Sequence, residues 1–227
     1  MKMEEYDIAV IGAGAAGLAA AAETAAAGRS TLIIDREDHA GGILRQGIHN
    51  GFGLRYFKEE LTGPEYAERV TIKAGEAGAA FALGCSVTEL TKRSDGTFEL
   101  LLLSGTDGVR RIRTRAVILA MGCRERNRGN LAIPGTRPAG VFTAGAAQKL
   151  LNLEGMLPGR SAVIVGSGDI GLIMARRLRW SGIEVKAVIE IMPHPSGLTR
   201  NIVQCLNDFN IPLYLEHSVV RISGKDR

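Results

Sequence analysis

The sequence predicts an α/β fold in which one strand–turn–helix–strand unit occurs twice along the chain. Two apolar runs, Tyr6–Ile11 and Ser161–Val165, have the composition of buried parallel strands, and each leads directly into a glycine-rich turn. A helix-forming sequence follows each turn, and a second apolar strand then ends at an acidic residue. Glycine supplies 29 of the 227 residues, against a usual share of about 7%, which indicates backbone geometry that other residues cannot adopt.

Further predicted elements surround each of the two units. In the first half they are helices over Ala15–Ala27 and Pro64–Leu83, an ordered loop over Gly41–Gly63, strands over Thr31–Ile34 and Ala116–Ala120, and a β-meander of Ser86–Leu90, Thr97–Leu103 and Arg110–Thr114. In the second half they are helices near Ala144–Leu151, Leu172–Trp180 and Asn201–Phe209, and strands over Val185–Ile189 and Leu213–His217. The alternation of strands with helices predicts parallel sheets. The alternating arginines between Arg110 and Arg115 are typical of an exposed edge strand.

Composition narrows the class of protein. The chain is 45% hydrophobic and 23% charged, and its formal charge of +4 comes from scattered basic residues with few aromatics, which argues against nucleic-acid binding. The cysteines, Cys85, Cys123 and Cys205, lack metal-ligand spacing, so we expect no metal site, free thiols and a packed Cys123. Reduced thiols, the lack of a signal peptide and the lack of a membrane-spanning apolar run predict a cytoplasmic protein with no membrane span.

The first glycine-rich turn, Gly12 to Gly17, has the G-x-G-x-x-G spacing of sites that bind the diphosphate of a dinucleotide. Gly12 permits the tight turn, Gly14 lets the diphosphate approach the backbone, and Gly17 lets the helix pack against the strand. Free N–H groups at the helix start attract the phosphates, and Asp35 at the end of the next strand is placed to accept hydrogen bonds from an adenosine ribose. Neighbouring residues expected in the same site are Ala15, Ala16 and Arg36.

The second turn, Gly166 to Gly171, repeats this spacing, with Gly168 in the middle and Glu190 at the end of the following strand. A single motif of this kind is weak support for a nucleotide site, but both copies lie between a strand and a helix. The carboxylate of Glu190 favours NAD(H) over NADP(H), because it would repel a 2′-phosphate. Neighbouring residues expected in the second site are Asp169 and Ile170.

The paired turns resemble those of the two-dinucleotide-binding flavoprotein superfamily, of which the pyridine nucleotide-disulfide oxidoreductases are the best-known members. In that superfamily the first turn binds FAD and the second binds NAD(P)H. The run from Ala116 to Gly122 is similar to the motif that closes the FAD side. The resemblance implies a Rossmann-like FAD-binding domain with a β-meander over residues 1–157, followed by a truncated Rossmann-like NAD-binding domain over 158–227. Further FAD contacts that it implies are Gly41, Gly42, Val87 and Gly122.

Two segments, Gly41–Tyr66 and Cys123–Val141, resemble a narrower group. This group includes FAD-dependent oxidoreductases associated with glycerol-3-phosphate dehydrogenase, and FAD subunits of amine and imino-acid dehydrogenases. The redox cysteine pair of the disulfide reductases is absent, since residues 43 to 60 contain no cysteine and Cys205 stands alone, so we expect no dithiol relay. The late Gly-Asp motif that completes the superfamily's FAD site has no match, which predicts that the chain is part of a longer protein.

Three functions are open at this point. The first is an FAD-dependent oxidoreductase that transfers hydride between NADH and flavin, and then electrons to an unidentified small molecule or redox partner protein. The second is the flavin subunit of an amine or imino-acid dehydrogenase or oxidase, and the third is a non-catalytic dinucleotide-binding scaffold. His49 is the one catalytic candidate, because its imidazole could transfer a proton during the reaction. The alternative is that His49 only forms hydrogen bonds inside its loop. Homo- and hetero-oligomers are compatible with all three.

Overall fold

A computed structural model describes residues 3–226, which divide into two compact units, the first ending at Cys123 and the second beginning at Arg124. The first unit contains β1 (Glu4–Ile11), α1 (Ala15–Ala26), β2 (Thr31–Ile34), a 3-10 helix (Gly42–Gln46), β3 (Asn50–Phe52), β4 (Leu61–Thr62), α2 (Gly63–Glu76), β5 (Ala80–Ala82), β6 (Cys85–Lys92), β7 (Phe98–Ser104) and β8 (Gly108–Leu119). The second contains α3 (Ala144–Asn152), β9 (Ser161–Val165), α4 (Asp169–Trp180), β10 (Glu184–Ile189), α5 (Thr199–Cys205), a 3-10 helix (Asn207–Phe209) and β11 (Leu213–Tyr214). The assignment of cofactor domains to residues 1–157 and 158–227 stays a prediction.

A six-stranded sheet with the order β5-β2-β1-β8-β7-β6 forms the frame of the first unit. The strands β5, β2, β1 and β8 are parallel, so their carboxyl ends lie at one edge, while β8, β7 and β6 form the predicted antiparallel meander. Alternate residues face opposite sides of the parallel strands: Val10 and Ile33 pack with the helices, and Ala9 and Leu32 pack with residues of the meander. Both faces of the parallel strands are therefore buried, as their apolar sequences predict.

Helix α2 is shorter than the helix predicted over Pro64–Leu83. It ends at Glu76, and two residues later Gly78 adopts φ +95°, which stops the helix. The chain then enters β5, where Phe81 lies opposite Ile33 of β2. The prediction beyond residue 76 was wrong because pairing in a parallel sheet outweighs local helix propensity in this segment.

Strand β8 is one continuous strand, whereas the sequence predicts two, Arg110–Thr114 and Ala116–Ala120. It lies between β1 and β7, so the prediction of an edge strand was also wrong. Its arginines are matched by acids on neighbouring strands; for example, the Arg110 guanidinium donates to the Glu4 carboxylate of β1 at 2.8 Å. The charges therefore cross-link the sheet, a role that only the strand order reveals.

The second unit contains a three-stranded parallel sheet with the order β11-β10-β9. Its apolar core lies among the strands and helices, and its most deeply buried members include Leu172, Ala175, Val188 and Cys205. The last predicted strand, Leu213–His217, is limited to β11, and the predicted helix over Asn201–Phe209 divides into α5 and a 3-10 helix. Each unit nevertheless contains a strand–turn–helix–strand unit, so the predicted α/β class is confirmed.

The cysteines differ in their surroundings. Cys85 and Cys205 are buried, and burial raises the pKa of both thiols, while Cys123 is exposed. The prediction of a packed Cys123 was wrong, because β8 has already ended and Gly122 turns the chain at φ +71°.

Residues 3–226 include no group of His, Cys, Asp and Glu side chains arranged to hold a metal ion. None of the helices in this range combines the length and apolar character of a transmembrane segment.

Candidate dinucleotide sites

The first glycine-rich turn lies where β1, β2 and β8 end. Gly12 adopts φ +108°, and a Cβ at this position would lie 2.3 Å from the carbonyl oxygen of Ala120. A Cβ on Gly17 would lie 1.8 Å from the carbonyl oxygen of Gly12, so α1 packs against the turn only with glycine there. Gly14 is different, because a Cβ would meet nothing within 4 Å and its φ of −79° suits any residue. The fold requires Gly12 and Gly17, but it leaves open space at Gly14.

The second turn repeats this division of roles. Gly166 adopts φ +102°, and a Cβ on Gly171 would lie 2.5 Å from the carbonyl oxygen of Gly166. A Cβ on Gly168 would meet nothing within 4 Å, and its φ is −65°. In both turns the middle glycine is therefore unnecessary for the fold, which leaves the approach of a ligand as the physical reason for it.

Helices α1 and α4 begin without a side-chain cap. Helices α2 and α3, in contrast, begin at Thr62 and Thr143, whose hydroxyls accept hydrogen bonds from the first helical turn. The N-cap residues of α1 and α4 are Gly14 and Gly168, which carry no side-chain acceptor. The first N–H groups of these two helices thus lack a capping side chain, and the helix dipole adds partial positive charge. Open space beside such N–H groups fits the diphosphate of FAD or NAD(P).

Asp35 and the pair Gly41–Gly42 lie close to the first turn. The Asp35 carboxylate accepts a hydrogen bond from Ala13 N at 2.6 Å. Gly41 N donates to the Ala13 carbonyl oxygen at 2.7 Å, and a Cβ on Gly42 would lie 3.1 Å from Gly14 Cα. The structure thus brings together an acid and three glycines from separate segments of the chain, at the carboxyl edge of the parallel strands.

The remaining residues predicted for the first site are less closely connected to the turn. Those exposed near it are Ala15, Ala16 and Gly122. Arg36 is exposed and forms a long ion pair with Glu37 at 3.8 Å, and Val87 is half-buried in β6. His49 Nδ1 lies 2.8 Å from the Asn50 carbonyl oxygen. These contacts match the simpler interpretation of His49, and a role in proton handling stays a prediction.

Glu190 lies beside the second turn with only 6% of its surface exposed. Its carboxylate accepts hydrogen bonds from Ser167 Oγ at 2.5 Å, Ser167 N at 3.0 Å, Met192 N at 3.1 Å and Ser196 Oγ at 3.3 Å. Although burial opposes ionisation, these donors, the Ser167 hydroxyl above all, lower the pKa of Glu190 to about 2. The carboxylate is consequently charged at neutral pH, but most of its surface is covered by protein.

Asp169, the first residue of α4, connects the second turn to the segment that follows β10. Its Oδ1 accepts hydrogen bonds from Leu198 N and from Asn201 Nδ2, both at 2.8 Å. Its negative charge also suits the start of a helix. Ile170, the next residue, is 48% exposed. The contacts of Asp169 stabilise the unit itself, and cofactor contacts of Asp169 and Ile170 stay predictions.

Sequence reasoning missed three residues of the second site, Ser167, Ser196 and Gly197. A Cβ on Gly197 would lie 2.8 Å from the carbonyl oxygen of Ser167, so this segment packs tightly against the turn. One signal was present: the second turn has serine where the first has Ala13, which places a hydroxyl beside the acid. Ser196 carries no comparable local signal, because its contact with Ser167 spans 29 positions of the chain.

Glu190 makes stability depend on pH in a defined direction. Its pKa in the folded protein, about 2, is below its ordinary value of 4.5, so its stabilisation is complete above about pH 5 and is lost as the pH falls toward 2. We expect the wild-type protein to exceed Glu190→Gln in free energy of unfolding by about 2 kcal/mol at pH 7, with solvent screening allowed for. Urea unfolding at pH 7 and at about pH 3 should show that the difference in free energy of unfolding between the wild type and Glu190→Gln is smaller at the acidic pH. A difference that is equal at both would contradict the prediction.

The family profile for pyridine nucleotide-disulphide oxidoreductases matches residues 6–227. The chain belongs to this family. Its members are FAD-dependent oxidoreductases that use NAD(P), so the predicted superfamily and the predicted enzyme class are confirmed. The match covers both glycine-rich turns and the segments around them.

Curated relatives include components of multi-subunit enzymes. One of them, a subunit of the opine oxidase of Agrobacterium tumefaciens, is 30% identical over 204 residues, an alignment of 84% of this chain and 38% of that protein. The HcnB subunit of the hydrogen cyanide synthase of Pseudomonas protegens is 30% identical over 183 residues, 80% of this chain and 37% of that protein. The chain thus spans less than two fifths of each of these relatives.

Solved structures show the same fold. Thioredoxin reductase of T. acidophilum superposes with a TM-score of 0.73 at 24% identity, over 98% of this chain and 67% of that chain. L-proline dehydrogenase of P. horikoshii superposes with a TM-score of 0.62 at 19% identity, over 100% of this chain and 38% of that chain. At these identities the similarity concerns the fold, and the Rossmann-like architecture predicted from the two turns is confirmed.

Proposed function

We propose that the protein is an FAD-dependent oxidoreductase that transfers hydride between NADH and flavin and then passes electrons to an acceptor or substrate not yet identified. The single observation that carries the proposal is the repeated uncapped helix start. At both Gly14 and Gly168, the backbone is open where nothing in the fold demands glycine. Two such sites in one chain match a family that binds FAD and uses NAD(P).

The two turns have separate tasks in this proposal. Residues of the first unit that would hold FAD are Gly12, Gly14, Ala15, Ala16, Gly17, Asp35, Arg36, Gly41, Gly42, Val87 and Gly122. Residues of the second unit that would hold the nicotinamide dinucleotide are Gly166, Gly168, Asp169, Ile170, Gly171 and Glu190. The flavin supplies the two-electron chemistry when bound, and the chain supplies the N–H donors and the positive helix ends that neutralise each diphosphate.

We propose NADH as the preferred nicotinamide dinucleotide over NADPH. The support is the charge of Glu190, whose pKa of about 2 keeps it ionised beside the second turn. A fixed negative charge at this position disfavours the additional phosphate of NADPH. The proposed preference for NADH therefore rests on the charge of Glu190.

A second candidate function is the flavin subunit of an amine or imino-acid dehydrogenase or oxidase. The opine oxidase relatives favour it, as does the alpha subunit of the sarcosine oxidase of Rhizobium meliloti, which is 28% identical over 196 residues. This candidate adds a partner chain, so we propose a hetero-oligomer in which another protein chain contributes to the activity. A cytoplasmic location, where free thiols such as Cys85 and Cys205 stay reduced, is proposed for both candidates.

Anaerobic reduction by NADH tests the first candidate. The full-length protein with bound FAD should lose its visible flavin absorbance when NADH is added, and NADPH should act more slowly. Gly168→Ala should retain FAD but lose at least about tenfold in the rate of reduction at subsaturating NADH, because the new methyl group occupies the space left for the diphosphate. Dithionite should bleach both proteins equally, which shows that the flavin itself is intact.

Three outcomes would decide against the first candidate. Flavin that NADH leaves oxidised and that an imino acid reduces would support the amine or imino-acid dehydrogenase. Tightly held flavin that neither compound reduces would support the non-catalytic scaffold, which the sequence also leaves open. A protein that binds no FAD even after refolding with excess cofactor would exclude all functions that depend on the first turn.

A further inference from the structure

The two acids that follow the glycine-rich turns share one pattern of backbone hydrogen bonds. Asp35 accepts from Ala13 N at 2.6 Å and from Glu37 N at 2.9 Å. Glu190 accepts from Ser167 N at 3.0 Å and from Met192 N at 3.1 Å. In each case the donors are the residue after the first glycine and the residue two positions beyond the acid. The two carboxylates are therefore fixed to their turns in the same way.

The two acids differ in the hydroxyl groups that contact them. The described residues donate no hydroxyl to Asp35, which is half-buried, whereas Glu190 accepts from Ser167 Oγ at 2.5 Å and Ser196 Oγ at 3.3 Å. An adenosine ribose offers the same chemistry as this serine pair, two hydroxyl donors to one carboxylate. The serines thus give Glu190 internally what a bound nucleotide would give Asp35.

Ser167 and Ser196 differ in how easily they could leave the carboxylate. Ser167 is fully buried inside the turn, so its hydroxyl is a fixed part of the site. Ser196 is exposed, and its segment is held to the turn by the bond from Ser196 N to Ser167 Oγ at 3.0 Å and the bond from Leu198 N to Asp169 at 2.8 Å. Its own bond to Glu190 is the longest of the four. Ser196 is consequently the donor that a ligand can displace at the lowest cost.

We propose that Ser196 competes with the ribose of NADH for Glu190 and thereby sets the affinity of the second site and its choice between NADH and NADPH. The proposal rests on the proposed function, because it assigns the second turn to the nicotinamide dinucleotide. Binding of NADH replaces the Ser196 hydroxyl with a ribose hydroxyl on the same oxygen. NADPH gains less from this exchange, since its 2′ oxygen carries a phosphate and has no hydrogen to donate.

Ser196→Ala tests the proposal through binding. Removal of one hydroxyl that donates to a charged acceptor should lower the Kd of NADH about fivefold, and the Kd of NADPH should change less than twofold. The full chain is titrated with NADH or NADPH, and binding is monitored by the quenching of protein fluorescence. The measurement therefore needs no turnover. Ser181→Ala is the matched control, because Ser181 follows the opposite end of α4, where its hydroxyl donates to the carbonyl oxygen of Arg177. We expect its Kd values to equal those of the wild type.

A second variant separates the role of the acid from general loosening of the segment. In the double variant Ser196→Ala/Glu190→Gln, the fivefold gain in affinity for NADH should disappear, because the side chain at position 190 that Ser196 releases is no longer charged. An unchanged or higher Kd of NADH in Ser196→Ala would overturn the proposal, and so would equal gains for NADH and NADPH. If folded wild-type and variant proteins bind neither nucleotide, the function proposed for the second turn fails, and this inference fails with it.

Discussion

Gly14→Ala is expected to weaken FAD binding by about 100-fold while the protein folds normally. The reason is the separation of roles inside the first turn: a Cβ at Gly14 meets no protein atom within 4 Å, and the backbone angle there suits alanine. The added methyl group therefore collides only with a ligand that approaches the backbone. The loss corresponds to about 3 kcal/mol of binding free energy. Titration of the apoprotein with FAD measures it, and urea unfolding without FAD should change by less than about 1 kcal/mol.

The matched control for this prediction is Gly75→Ala. Gly75 lies inside α2, where a Cβ also meets nothing within 4 Å, so alanine should stabilise the helix by up to about 1 kcal/mol and leave FAD affinity unchanged. If Gly14→Ala binds FAD as tightly as Gly75→Ala, the first turn does not hold the diphosphate. The proposed function would then lose its main support.

Gly17→Ala is expected to destabilise the first unit by about 3 kcal/mol, even without FAD. A Cβ at this position would lie 1.8 Å from the backbone oxygen of Gly12. The turn has little freedom to yield, because Gly12 N is bonded to the Ile34 carbonyl oxygen at 2.8 Å and Gly12 also lies against Ala120. Chemical unfolding of the apoprotein should give a clearly lower midpoint than that of the wild type.

Gly14→Ala is the control for Gly17→Ala, since both make the same change in the same turn. Equal unfolding midpoints for these two variants would contradict the assignment of one glycine to the ligand and the other to packing. The second turn offers an independent repeat, with Gly168→Ala as the counterpart of Gly14→Ala and Gly171→Ala as that of Gly17→Ala. We expect the same order of stabilities in that unit, because a Cβ on Gly168 would meet nothing within 4 Å and a Cβ on Gly171 would lie 2.5 Å from the carbonyl oxygen of Gly166.

Both turns were predicted from sequence because their geometry is local. Each turn lies within one short segment of chain between apolar strands. Its first glycine adopts a positive φ, +108° in one turn and +102° in the other, and its middle glycine is the N-cap of the helix, with open space around it. Elements whose state depends on distant partners were predicted less well. The segment around Phe81 became a strand because β2 lies beside it, and the arginines of β8 are inside the sheet because β7 pairs with them.

The sequence by itself determined the backbone geometry of the two glycine-rich turns and that an acid follows each. These features arise from backbone angles and helix ends, which neighbouring residues control. Only the tertiary structure decided how accessible each acid is. Asp35 stays half-buried, with two N–H donors, while Glu190 also accepts a hydrogen bond from the hydroxyl of Ser167, 23 positions earlier in the chain, and one from Ser196, which is itself bonded to Ser167. Hydrogen bonding between residues remote in sequence depends on how the chain packs, and no local pattern records it.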